Sequence, residues 1–395
     1  MKFTVIGIND AAEPNFSAEI LQIIAENSVF SGGTRHYSIV KDLLPKAAKW
    51  INITPALTEL FAEYEKYENI VVFASGDPLF YGFVATIQRL APGAEIHSFP
   101  SFNSLQLLSH QLRMPYQDMI NVSLTGRPWD KFDEALIKGY SLVGVLTDTK
   151  THTPSTIAQR MLDYGYTNYE ISVGELLGNN QRQKVQTLSV EELSQSDFQA
   201  PNCLILRKIT PRHRSFGIED SEFELLDGRK NMITKKLIRL ASISELALDR
   251  CSSFWDVGFC TGSVSIEAKS LFPSLNITSF EIREEGRNLL ETNAKRFGLP
   301  GIKCVIGDFL EQDLDHYPRP DAVFIGGHGG KLQDMLSKLA PYMNSGARLV
   351  FNSVSLDSYT SFIDGALKYG FRIQSENKIK LNDYNLINVI TAEKV

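Results

Sequence analysis

Four short stretches in the second half of the chain place acids and glycines where strands give way to loops, a pattern suited to gripping a nucleotide-type ligand by hydrogen bonds. Trp255-Asp256-Val257-Gly258-Phe259-Cys260-Thr261-Gly262-Ser263 ends a strand and opens a helix. Glycines there let the backbone approach a ligand closely, and helix N-terminal amides point at it. The same loop is also what a tight strand-to-helix turn looks like, so three further positions matter. Glu281 closes the next strand about twenty residues on, where an acid accepts hydrogen bonds from two ribose hydroxyls. Gly307-Asp308-Phe309 closes a third strand, so Asp308 can accept from the exocyclic amine of adenine while Phe309 packs on the ring. Asp321 to Gly327, ending Phe324-Ile325-Gly326-Gly327, closes the fourth. Any one of these acids is more often a solvated strand-end carboxylate, but four strand ends in register favour a ligand. The G-x-x-x-G spacing departs from the G-x-G-x-x-G of dinucleotide folds, and Asp256 before it suits a cationic amino-acid moiety better than a pyrophosphate.

A βα alternation must position these residues, and the apolar runs predict one. Helices are expected over 235–246, 263–270 and 284–297, and strands over 253–257, 276–281, 302–306, 322–325 and 348–352. The first half reads the same way: strands over 3–8, 70–74, 95–98 and 140–146, with helices over 17–26, 80–90, 103–112 and 155–164. Beyond Gln183 the texture shortens to strands near 185–188 and 203–208, around a helix capped by Ser189 with Glu192 three residues on. Thr210 to Gly217 is polar, holds Pro211 and Gly217, and reads as a linker. The expected class is α/β, divided into a first domain over 1–209, a linker and lead segment over 210–231, and a second domain over 232–395.

Composition narrows the partners. A chain of 395 residues exceeds one ordinary core, and a hydrophobic share of 43% is that of a folded globular protein. A net charge of -6 without any basic run argues against a nucleic-acid partner. The opening run Met1 to Gly7 is too brief for a secretory h-region or a membrane span, and reads as a first strand. Cys203, Cys251, Cys260 and Cys304 lack paired spacing, so neither a metal site nor a disulfide framework is expected, and a cytoplasmic location fits.

The residues also carry a resemblance. Asp256 to Ser263, Glu281, Gly307-Asp308 and Phe324 to Gly327, led by Gly217-Ile218-Glu219-Asp220-Ser221-Glu222-Phe223 and Ile233-Thr234-Lys235, resemble the decarboxylating methyltransferase domain of corrin biosynthesis. Ordinary class I methyltransferases lack that lead. The first half looks like the tetrapyrrole methylase fold of two α/β subdomains. It does so through Gly32-Gly33-Thr34-Arg35-His36, Ala74 to Gly82 (Ala-Ser-Gly-Asp-Pro-Leu-Phe-Tyr-Gly), Pro100 to Ser104, and Thr147-Asp148 with Thr153-Pro154. In this order the halves resemble the fused methyltransferase family of cobalamin synthesis, with a Rossmann-like class I domain second. Asn9 stands where that family usually has a second glycine, and Phe259-Cys260 where small residues are commoner.

The resemblance implies S-adenosyl-L-methionine as cofactor, a tetrapyrrole substrate methylated at carbon 5 by the first domain and carbon 15 by the second, and decarboxylation of an acetate. It implies a homo-oligomer with no membrane or nucleic-acid partner. A sulfonium methyl is already an activated electrophile, so in-line placement is the main requirement and no nucleophilic triad is needed. Cofactor contacts are expected from Gly7, Gly76, Asp77, Leu79, Ser104, Thr147 and Asp148 in the first domain, and from Asp256, Gly258, Gly262, Ser263, Glu281, Gly307, Asp308, Gly326 and Gly327 in the second. Carboxylates of the macrocycle call for cations, with Arg35, His36, Arg127 and Lys235 favoured and Lys230, Lys236 and Arg239 as further candidates. Phe80 and Tyr81 read as core packing, and His328, among glycines after a strand end, as a candidate proton donor. Two other readings stay open: an RNA or protein methyltransferase with an N-terminal recognition module, and a fused protein with one active half.

Overall fold

The apolar run at the start of the chain forms β1 (Lys2–Ile8), which pairs in parallel with β4 (Asn69–Ser75) on one side and β5 (Glu95–Phe99) on the other. Beyond β4 lie β2 (Val29–Gly32) and β3 (Lys49–Asn52), completing a five-stranded parallel sheet in the order β3-β2-β4-β1-β5. Phe3, Val5, Ile6, Val71, Val72 and Phe73 are sealed from solvent, as expected of parallel strands covered on both faces. A second sheet follows, from β6 (Ile120–Ser123), β7 (Leu142–Leu146), β8 (Tyr169–Glu175), β9 (Lys184–Ser189) and β10 (Asn202–Lys208), in the order β6-β7-β10-β8-β9. Only β6 and β7 run parallel; β10 is antiparallel to both its neighbours.

The structure, a computed structural model, describes residues 1–11, 14–229, 232–381 and 385–395. These form two compact units, one of Met1–Pro128, Tyr140–Arg160 and Thr167–Thr210, the other of Trp129–Gly139, Met161–Tyr166 and Pro211–Val395. Among the described residues no helix is long and apolar enough to cross a membrane.

The second unit holds a seven-stranded sheet of β11 (Ser253–Val257), β12 (Asn276–Glu281), β13 (Ile302–Ile306), β14 (Ala322–Ile325), β15 (Arg348–Ser353), β16 (Phe371–Ile379) and β17 (Ile387–Lys394), in the order β13-β12-β11-β14-β15-β17-β16. The first five strands are parallel, and β17 runs antiparallel between β15 and β16. Strand order reverses between β11 and β14, which opens a crevice beyond their carboxyl ends. Trp255, Phe280, Val323 and Leu349 fill the core on one face; Phe254, Ile277, Phe324 and Val350 fill it on the other.

The lead segment has a structural task. The amides of Gly217 and Ile218 both donate to the buried carboxylate of Glu267 at 3.0 Å, and Arg239 Nε donates to the same carboxylate at 3.1 Å. Arg239 also donates to the carbonyls of Ile218 and Thr234 and lies over the Phe223 ring at 5.0 Å. Arg239 is therefore a sealed fastener and not a partner for substrate, which corrects its candidacy. Lys236 pairs with Glu219, and Lys230 lies outside the described residues.

Candidate active sites

Each unit carries a large cavity at the carboxyl ends of its parallel strands. In the first unit the loops after β1, β4 and β5 meet backbone to backbone. A Cβ on Gly7 would lie 2.1 Å from the Gly76 carbonyl oxygen and 2.7 Å from the Ser101 nitrogen, so only glycine fits. Beside this junction opens a cavity of about 630 Å³ lined by residues of both sheets. Of the sequence-predicted residues, Gly76, Ser104, Thr147, Arg35, His36 and Arg127 line it. The site also gathers Asn9, Asp10, Ser75, Asn103, Thr125 and Asn202.

Four expected residues stand back from that cavity. Gly7 shapes the junction from beneath. Asp77 Oδ1 accepts the Leu79 amide at 2.8 Å, an Asx turn that spends the carboxylate locally and leaves Leu79 64% exposed outside the lining. Asp148 accepts the amides of Lys150, Thr151 and His152 and the His152 Nδ1. Against the upward pull of burial, those bonds hold its carboxyl down at about 2. Both aspartates thus bond within their own turns, and neither lines the cavity.

The cations of the first cavity are already engaged. Arg35 pairs with Asp10 at 2.7 Å and donates to Ser75 Oγ at 2.7 Å. His36 Nδ1 accepts the Gly33 amide, so its proton sits on Nε2, 2.9 Å from Ser75 Oγ. Burial, and then the Arg35 charge, push the imidazole down to about 4, so at neutral pH it is a neutral donor. Arg127 donates to Ser123 Oγ and lies 5.1 Å over the Tyr81 ring. Tyr81 departs from the expected core packing: it has a left-handed φ of 53°, is 43% exposed and lines the cavity, whereas Phe80 packs on the buried cluster around Leu105.

In the second unit two cavities flank the loop after β11. That loop touches the one after β14 so closely that a Cβ on Gly258, at φ +73°, would fall 2.3 Å from the Gly327 carbonyl oxygen. A cavity of about 130 Å³ is lined by Gly258, Glu281, Gly307, Asp308, Phe309, Gly327 and His328. Another, of about 570 Å³, is lined by Asp256, Gly258, Cys260, Gly326, Gly327, Lys235 and Asn352 among others. Arg283 lines both. Gly262 and Ser263 line neither. Gly262 starts the helix Ser263–Leu271 in a left-handed conformation under Leu290, and Ser263 is buried.

Asp256 is sealed from solvent. Its Oδ2 accepts the hydroxyl and amide of Ser265, while Oδ1 has no partner. Burial, with the nearby Glu281 charge, pushes its carboxyl up to about 7. An orphaned buried acceptor on a cavity wall fits a cationic guest, because an ammonium would satisfy both its charge and its lone pairs. Glu281 Oε2 accepts the Cys260 amide at 2.9 Å, and Oε1 accepts the Arg283 amide and guanidinium at 3.1 and 3.0 Å. Asp308 caps Leu310 and pairs with Lys331 at 2.7 Å, which holds its carboxyl below the usual range.

His328, the candidate proton donor, does not line the larger cavity. It lines the smaller one, its Nδ1 accepts the Gly330 amide at 3.2 Å, and burial lowers its pKa, which favours the neutral ring. Arg283, Lys331 and Asn352 also stand on these walls without being expected there: Arg283 and Asn352 lie outside any glycine-rich motif, Lys331 only follows Gly329-Gly330, and proximity to Glu281 is the one signal for Arg283.

Comparison with known proteins agrees with both halves. Residues 2–194 match the family described as Tetrapyrrole (Corrin/Porphyrin) Methylases, and residues 226–385 match the one described as Precorrin methyltransferase domain. A precorrin-6Y C(5,15)-methyltransferase [decarboxylating] from Sinorhizobium sp is 28% identical over 93% of this chain and 88% of its own length. A probable cobalt-precorrin-6B C(15)-methyltransferase (decarboxylating) from Thermoplasma volcanium is 31% identical, covering 41% of this chain and 80% of that protein. A solved precorrin-6Y C5,15-methyltransferase from Geobacter metallireducens GS-15 is 29% identical over 46% of this chain and 100% of that one, with a TM-score of 0.43.

Proposed function

Since the chain belongs to the decarboxylating precorrin-6Y C(5,15)-methyltransferase family, we propose that it methylates precorrin-6Y, or its cobalt form, at carbons 5 and 15 and releases the ring C acetate carboxyl as carbon dioxide. The observation that carries this reading is that, among the described residues, each unit has a large cavity, about 630 and 570 Å³, at the carboxyl edge of its parallel strands. We divide the labour as a first domain over 1–209 for carbon 5, a lead segment over 210–231, and a second domain over 232–395 for carbon 15.

S-adenosyl-L-methionine, when bound, supplies a sulfonium methyl group that needs no further activation. In the second domain Asp256 Oδ1 holds the ammonium end, Glu281 accepts from the ribose, and Phe309 with Asp308 borders the adenine. In the first domain Gly76, Ser104, Thr147 and Asn9 form the corresponding wall, with Arg127 as the substrate cation. Lys235, placed on the larger cleft of the second unit, meets a substrate carboxylate. Phe259, Val264, Phe324 and Ile387 line that cleft with hydrocarbon, so a carboxylate entering it loses water and is primed to leave as carbon dioxide, its bonding electrons passing into the imine-type system that methylation leaves in the macrocycle. The reading places the enzyme in the cytoplasm as a homo-oligomer.

The test is incubation of the purified chain with S-adenosylmethionine and precorrin-6Y, followed by mass measurement. Two added methyl groups and one lost carboxyl group are expected. A Gly258→Ala variant should keep carbon 5 methylation and lose both carbon 15 methylation and the carbon dioxide release; loss of carbon 5 methylation with the other two changes retained would refute the division of labour.

A further inference from the structure

Arg283 stands on the boundary of the two cavities in the second unit, on the wall of both the small one and the larger cleft. Its guanidinium donates to Glu281 Oε1 at 3.0 Å, and its side chain is 37% exposed against 2% for Glu281. A carboxylate offers about four acceptor positions. Three donors already use them: the Cys260 amide, the Arg283 amide and the Arg283 guanidinium. A ribose diol brings two more, so the total exceeds the capacity of Glu281 and one present donor must leave.

The two amides are fixed by the backbone. Cys260 N sits in the loop whose Gly258 is wedged against Gly327, and Arg283 N is two residues from Glu281 on the same strand end. The guanidinium is the one donor on a flexible stem, and it has open cleft beside it. It is also the group that gains most from a new partner, because its fork matches a carboxylate in two hydrogen bonds.

We propose that Arg283 is a coupling residue: ribose binding at Glu281 releases its guanidinium into the larger cleft, where it grips a carboxylate of the tetrapyrrole. The inference rests on the cofactor and substrate reading above. Cofactor and substrate then bind with positive cooperativity, and each raises the affinity for the other by the same factor. Cofactor binding in the absence of substrate carries the cost of breaking the Glu281–Arg283 pair.

Titration of the full chain with S-adenosylhomocysteine, with and without precorrin-6Y, tests this by calorimetry, the second-domain component being the one abolished in Gly258→Ala. In the native chain precorrin-6Y should tighten that component. In Arg283→Gln, whose fold is checked by circular dichroism, S-adenosylhomocysteine alone should bind as tightly as before or more tightly. The tightening by precorrin-6Y should vanish, and KM for carbon 15 methylation should rise roughly tenfold to a hundredfold with kcat little changed. Arg283→Lys should restore part of the KM. If Arg283→Gln instead weakens S-adenosylhomocysteine severalfold and leaves the effect of precorrin-6Y intact, the residue is a fixed prop for Glu281 and the proposal is overturned. If the native chain binds no S-adenosylhomocysteine in its second domain, the cofactor reading itself falls, a result distinct from the first.

Discussion

Ser265 Oγ donates to Asp256 Oδ2 at 2.6 Å, and the opposite oxygen of the same fully buried carboxylate has no partner. Burial raises this carboxyl from its ordinary 3.8 to about 7, so the folded chain holds a proton there that the unfolded chain has lost. Between those two values the native state binds more protons, and stability contributed by this group falls as pH rises from about 4 to about 7. Asp256→Asn should remove that decline and unfold at a higher temperature than the parent at about pH 8, with little difference near pH 4. The same substitution should weaken S-adenosylhomocysteine in the second domain about tenfold or more, since an amide cannot answer an ammonium charge. Thermal melts across pH and calorimetry read the two effects separately.

Gly258 allows a sharper steric test. At φ +73°, any side chain is strained, and its Cβ would stand 2.3 Å from the Gly327 carbonyl oxygen and 2.6 Å from the Gly327 nitrogen. Backbone cannot give way as a side-chain tip can. Gly258→Ala should cost at least about 1–3 kcal/mol from the conformation alone. Separation of the two loops should abolish second-domain binding while the first-domain isotherm persists. Equal stoichiometry in parent and variant would show that the loop contact does not shape the site.

How much of this could be read from residue types depends on what holds each element. The expected bounds of Ser253–Val257, Asn276–Glu281, Ile302–Ile306 and Ala322–Ile325 coincide with β11 to β14. Each is a short run rich in β-branched and aromatic residues that stops at a glycine or an acid: Gly258, Glu281, Gly307 and Gly326. The four-residue strands β2 and β3 gave no such run; Lys49 and Asn52 in β3 are exposed. The helix expected from Phe80 begins at Phe83, because Phe80 N bonds back to Asp77 O and Tyr81 is left-handed. Within the sites, Asp256, Glu281 and Asp308 stand at cavity walls, whereas Asp77 and Asp148 close their own turns. Residue type does not separate the two cases: Asp308 accepts the amide two residues on just as Asp77 does, and only the fold shows that Asp308 also stands on a cavity wall.

His36 makes the acid limb of stability traceable to one residue. Burial and Arg35 lower its pKa from 6.5 to about 4, so between those values the unfolded chain binds a proton that the folded chain refuses. Stability contributed there is present above about pH 6.5 and drains away as pH falls toward 4. His36→Gln retains a side-chain acceptor for the Gly33 amide and a donor toward Ser75, yet carries no proton to gain. Denaturant midpoints of the variant should therefore depend less on pH in that interval; an unchanged slope would assign the acid sensitivity to other groups.

Glu267 ties the lead segment to the second unit through the amides of Gly217 and Ile218 and through Arg239, and both ionic side chains are fully buried. Removing one partner strands a charge away from water, which costs about 3–5 kcal/mol, whereas removing both with apolar groups of like shape costs much less. Glu267→Gln should therefore lower the denaturant midpoint of the second unit strongly. Arg239→Met should do the same, and the double variant should recover part of the loss, less the value of the two amide bonds to residues 217 and 218. Because Ile233, Thr234 and Lys235 line the larger cleft just after this segment, the single variants should also raise KM for carbon 15 methylation while carbon 5 methylation keeps its rate. Loss of both methylations in parallel would mean that the fastening serves the whole chain and not the second cleft.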